Sequence, residues 1–161
     1  MLQHRNRAQG ARADLAFEMA EELIIGELEL HEQRQCPAPL VCHITDGCFD
    51  GSDPRDTIER IKGLRTIDGN VLIENVLASG DINLEGQTAG DWSSLTCKDH
   101  LMPQMSSWYE CSSSLPESYR VILQADGYSL TPGIRMLWPV NYVELIQHCF
   151  SRPVNTGVPI R

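Results

Sequence analysis

The stretch Pro39-Leu40-Val41-Cys42-His43-Ile44-Thr45-Asp46-Gly47 decides the fold. Leu40 to Thr45 is a short β-rich run that stops abruptly at Asp46-Gly47, a pair that turns a chain. Its apolar residues do not alternate cleanly, the pattern of a strand covered on both faces of a parallel sheet. Downstream, an acidic loop leads to Asp53-Pro54, which opens a helix with Pro54 at its first position. Asp56 lies in the first turn, and Ile58, Ile61 and Leu64 recur at helical spacing as its buried stripe. Asp68-Gly69 then turns the chain into a second strand, Asn70 to Leu77. Strand, helix, turn and strand make a βαβ unit, which is expected to be right-handed.

Upstream of that unit, Ala16, Phe17, Ala20, Leu23, Ile24 and Leu28 recur at intervals of one, three and four and predict an amphipathic helix capped by Asp14. Gly26 weakens its middle, and the polar run before Cys36, Pro37 and Pro39 ends it. Residues 1–13 are polar and Arg-rich and are expected to be flexible. Residues 79–107 show no period and read as a long irregular loop. A third helix opens at Ser114-Leu115-Pro116-Glu117, passes Tyr119, Ile122 and Leu123, and stops near Gly127. Thr131-Pro132-Gly133 turns into a last strand, Met136 to Val140, which Pro139 marks as an edge. Asn141 and Glu144 form a capping-box-like pair for a final helix through Val143, Leu145, Ile146 and Phe150; residues 151–161 form a loose tail. Residues 14–150 are therefore expected to be one α/β domain, an open and mostly parallel sheet with flanking helices. Ligands of such sheets bind outside the carboxyl ends of the strands, where Thr45-Asp46-Gly47 is placed.

The 161 residues are 42% hydrophobic and 22% charged, ordinary values for a globular domain. No apolar run is long enough to cross a bilayer, and no apolar stretch follows the basic N-terminus as a signal peptide would require. The net charge of −9 repels phosphate backbones, so nucleic-acid binding is not expected. Six cysteines without an export signal suggest free thiols in a reducing cytoplasm. Cys36, Cys42 and Cys48 are six apart with no CxxC pair, and the five histidines (4, 31, 43, 100 and 148) form no motif, so no zinc site is read. Ser106-Ser107 and Ser112-Ser113-Ser114 lack a GxSxG context. Cys48 beyond the turn and His43 on the strand are a conceivable Cys–His pair without an orienting third group, and there is no Gly-rich phosphate loop. Asp46 and Thr45 have two readings: oxygen ligands for a metal ion, or side chains that hold the turn by bonding backbone N–H groups. Asp50, Asp53 and Asp56 would either add oxygens or complement a helix dipole. Trp138 reads as core, and Trp92, with Trp108, as a candidate partner surface.

With these residues in place, the 39–47 segment resembles the fourth-strand signature of von Willebrand factor type A domains, an apolar strand ending in Thr-Asp-Gly. Asp53-Pro54, Leu64, Asp68-Gly69-Asn70-Val71-Leu72, Ser112-Ser113-Ser114-Leu115-Pro116, Gly127-Tyr128 and Pro132-Gly133-Ile134-Arg135 follow in the order of a bacterial intracellular branch. The resemblance covers roughly residues 10–150, with 79–107 poorly matched. It implies a Rossmann-like sheet and a metal-ion-dependent adhesion site, built from a DxSxS motif, a Thr and the Asp of Thr-Asp-Gly, which holds Mg²⁺ for a partner's carboxylate. The sequence departs from that pattern. It has no DxSxS, Gly10 is followed by Ala11 where the branch has a Thr, and Cys48 stands where the branch has a Glu. Only Thr45 and Asp46 match, so the chain looks like the C-terminal half of the domain with a degenerate metal site and no firm cofactor. That truncation would leave Leu40–Thr45 as an unpaired apolar edge, to be covered by a second copy, a partner strand or the N-terminal segment. The expected function is a cytoplasmic, non-enzymatic protein-interaction module. The alternatives are a Mg²⁺-dependent adhesion-type domain retaining Asp46, a partial gene product without independent activity, and a Cys48-based enzyme.

Overall fold

The computed structural model describes residues 11–30, 36–78 and 103–139. In chain order these form α1 (Ala13–Leu30), β1 (Leu40–Thr45), α2 (Arg55–Gly63), β2 (Leu72–Leu77), α3 (Pro103–Cys111), α4 (Glu117–Ala125) and β3 (Leu137–Pro139). The strands make one parallel sheet in the order β1-β2-β3, with Leu40 opposite Leu72, Thr45 opposite Leu77, and Asn75 opposite Leu137. The α/β class with an open parallel sheet and flanking helices is thus the observed one. No helix among the described residues is long and apolar enough to cross a membrane.

The alternation of side chains along β2 builds two cores. Ile73 and Leu77 point to one face, where they pack with Phe17 of α1, Ile58 and Ile61 of α2, and Trp108 and Cys111 of α3. Val76 points to the other, against Tyr119 and Leu123 of α4, Ile134, Met136 and Trp138. Each of the larger side chains contributes about 1.5–3 kcal/mol by leaving water. The α3–α4 connection is stitched to the sheet: Ser113 N–H donates to Ile73 O, Ile73 N–H donates to Ser113 Oγ, and Met136 N–H donates to Ser113 O, all at 2.9 Å. α4 ends as expected, with Gly127 in the left-handed region at φ 89° and Tyr128 N–H closing onto Leu123 O.

Four expectations need correction. β1 is covered only in part on its second face, where Leu40 packs against the α4-side core but Cys42 and Ile44 are exposed. In α1 the buried residues are Ala13, Asp14, Phe17 and Leu28, with Ala20 and Ile24 partly buried; Ala16 and Leu23 lie outside that stripe and are exposed. Residues 103–107 are not loop but the first turns of α3, which opens with Pro103 at a position suited to its missing N–H. Trp108 is buried rather than a surface contact. Trp138 is core as expected. Trp92, the helix beginning at Asn141, residues 79–102 and the tail lie outside the described residues.

Candidate functional site

Beyond the carboxyl end of β1, Thr45 and Asp46 each accept a backbone N–H two residues on. Gly47 N–H donates to the buried Thr45 Oγ1 at 3.0 Å, and Cys48 N–H donates to the exposed Asp46 Oδ1 at 2.9 Å. These are the local bonds of an Asx/ST turn. Gly47 takes φ 95°, and its carbonyl accepts Trp108 Nε1–H at 3.0 Å, so α3 is anchored directly to this turn.

Asp14 does not cap α1 in the expected way; it clamps the helix start to the loop after the turn. Its carboxylate accepts Arg12 Nε and Nη2 and, at 3.0 Å, Ser52 N–H. The Arg12 guanidinium and the Ser52 amide hold its pKa well below the usual carboxylate range. Gly51 makes the close approach possible: at φ +101° an added Cβ would fall 2.6 Å from Arg12 Nε and 2.7 Å from an Asp14 oxygen. Asp53 accepts Arg55 N–H at 3.0 Å and pairs with the Arg55 guanidinium, which lowers its pKa. Asp56 lies in the first turn of α2, exposed. Among the described residues no three His, Cys, Asp or Glu are gathered as a metal ion would need. Thr45 and Asp46 each spend an oxygen on the turn, and a Mg²⁺ ion held by these two donors would have to fill the rest of its octahedral shell with water or a partner's oxygens.

His43 points into the helix-covered face, its ring 5.0 Å from that of Phe17 and 4.6 Å from that of Trp108. Its Nδ1 meets Asn75 Oδ1 at 2.8 Å. Asn75 Nδ2 donates to Trp108 O and Ser112 Oγ, so Oδ1 is the acceptor and the network assigns the imidazole proton to Nδ1. Burial pushes the His43 pKa below its ordinary value and keeps the ring neutral. Cys48 lies exposed beyond the turn. The residue that sequence reasoning passed over is Glu74, opposite Cys42 in the register and only 1% exposed within the α4-side core. Burial raises its carboxyl to about 7, and the nearby Trp138 indole and Cys42 thiol offset only part of that rise. Desolvation, then the neighbouring carboxylate, push the Cys42 thiol up to about 11. A polar Glu-Asn pair within an otherwise apolar strand was the available signal.

Among the described residues, one side of β1 has no neighbouring strand. Pro39 O accepts Leu72 N–H at 2.9 Å and Thr45 O accepts Ala78 N–H at 2.7 Å. Because backbone polar groups alternate sides along a strand, Val41, His43 and Thr45 turn theirs to β2, whereas Leu40, Cys42 and Ile44 turn theirs outward. Among the described residues β1 pairs with β2 alone. Comparison of the chain with family models, with curated proteins and with solved structures found no match.

Proposed function

We propose that the chain is a non-enzymatic protein-interaction module, resembling the C-terminal half of a von Willebrand factor type A domain, which accepts a strand from another protein chain along the open edge of β1. A second copy is the simplest donor. The observation that carries this reading is the outward row of N–H and C=O groups at Leu40, Cys42 and Ile44. The strand has no charged residue and no Pro, the devices that ordinarily guard an edge, and Ile44 is 57% exposed. Strand addition uses such a row for affinity and the alternate side chains for specificity. The polar groups at the carboxyl end of β1 serve the turn, so the reading needs no metal ion.

Sedimentation across a wide range of concentration, together with amide hydrogen exchange on the monomer, tests it. The expected result is reversible association, with the Cys42 and Ile44 amides of the monomer exchanging much faster than those of Val41 and His43. Ile44→Lys, at an exposed position, should weaken association at least tenfold without lowering the unfolding midpoint. Equal protection of all four amides in a chain that sediments as a monomer at every concentration would overturn the proposal.

A further inference from the structure

α1 has a second apolar stripe, on the side away from the core. At 100° per residue, Leu15, Met19, Leu23 and Leu30 fall within an arc of about 80° and extend along about 22 Å of helix. All four are exposed, between 49% and 78%. Their spacing of four, four and seven is that of a helix–helix seam, with Gly26 completing the row. Glu18, Glu22 and Glu29 run along one flank of this stripe and Glu27 along the other, all four exposed. The helix carries six acidic residues and no basic one; Asp14 is taken up by Arg12, and Glu21 by Arg60 of α2 at 2.7 Å.

The stripe's orientation is fixed by its neighbours. The Glu21–Arg60 pair ties one flank of α1 to α2. On the opposite flank Leu23, Ile24 and Leu28 face Cys36, Pro37 and Pro39 across a shallow, mostly apolar groove that leads to the start of β1. The stripe therefore opens away from α2.

We infer that the outer face of α1 receives an amphipathic helix of a partner protein whose apolar seam is flanked by Lys or Arg. Charges flanking a helix–helix seam select the partner. Two copies of α1 laid seam to seam would set glutamates against glutamates in either direction, in chains that each carry −9, so a second copy is the wrong occupant. A helix with basic rails would place opposite charges along the Glu18, Glu22 and Glu29 flank while burying the four large side chains. The inference is separate from strand addition at β1 and does not rest on it.

The experiment uses the full chain and three synthetic helical peptides: a Leu seam with Lys rails, the same seam with Glu rails, and a scrambled peptide with the same residues as the first. Binding is followed by fluorescence anisotropy. The Lys-railed peptide should bind at least tenfold more tightly than the scrambled one, and the Glu-railed peptide should not bind. Met19→Glu with Leu23→Glu should abolish binding, the Ile44→Lys chain should bind normally, and Glu18→Lys with Glu22→Lys should shift preference to Glu rails. Equal binding of the scrambled peptide would show a non-specific acidic surface and overturn the inference. So would insensitivity to the Met19 and Leu23 changes, or dimerisation of the chain that Met19→Glu abolishes.

Discussion

Glu74 makes stability depend on pH in a direction unusual for a carboxyl group. Its pKa rises from an ordinary 4.5 to about 7 because the ionised form is desolvated between β2 and α4. Between those values the folded chain holds a proton that the unfolded chain has lost. Its contribution is fully present below about 4.5 and is lost as pH rises through 7, a change on the order of 3 kcal/mol. His43, held neutral by burial, works in the opposite sense: it favours the fold as pH rises through its own range. Comparing the wild type with Glu74→Gln cancels that term, because Gln keeps the shape without the ionisation. Urea midpoints measured from pH 5 to pH 8 should match near pH 5, then diverge with the variant more stable. Parallel profiles would mean that Glu74 is ionised in the fold at no penalty. Its surroundings were not legible beforehand, since only strand register sets Cys42 opposite Glu74 and Trp138 opposite Val76 two residues on. The same holds for Asn75 and His43, which come from strands 32 residues apart.

At the scale of elements, the strands and the α2 and α4 stripes were readable because local periodicity and burial agree there. α3 was not, because Pro103 to Ser107 carries no apolar period; the element is held by Trp108 reaching the Gly47 carbonyl, a contact between residues 61 apart. The two apolar stripes of α1 merged into one in the sequence, since Leu23 lies one position from Ile24 yet is exposed where Ile24 is partly buried against the core. The glycines around this helix separate local propensity from tertiary fit. Gly26 is mid-helix with open space where a Cβ would go, so Gly26→Ala should stabilise the chain by about 0.5–1 kcal/mol through helix propensity. Gly51→Ala should do the reverse, by at least about 1 kcal/mol, because both the left-handed φ and the Arg12–Asp14 contact resist a Cβ. Thermal unfolding of the two variants side by side checks both signs; a stable Gly51→Ala would show that the Asp14–Ser52 clamp contributes little to holding α1.

Across the whole molecule, charge and apolar surface are distributed so that the two proposed contacts respond oppositely to salt. β1 carries no charge, while the chains it would join repel each other with a net −9 apiece. Screening shortens that repulsion to about 8 Å near physiological ionic strength, so association through the β1 edge should strengthen as salt rises. The α1 face works the other way, because its acidic flanks attract the basic rails of a partner, and that attraction fades under the same screening. One titration with sodium chloride, read by sedimentation for the first contact and by peptide anisotropy for the second, should give slopes of opposite sign. Slopes of the same sign would place both contacts on one surface, governed by a single electrostatic term. Opposite slopes would mean that the open sheet edge and the outer helix face act as independent sites, each governed by its own electrostatics.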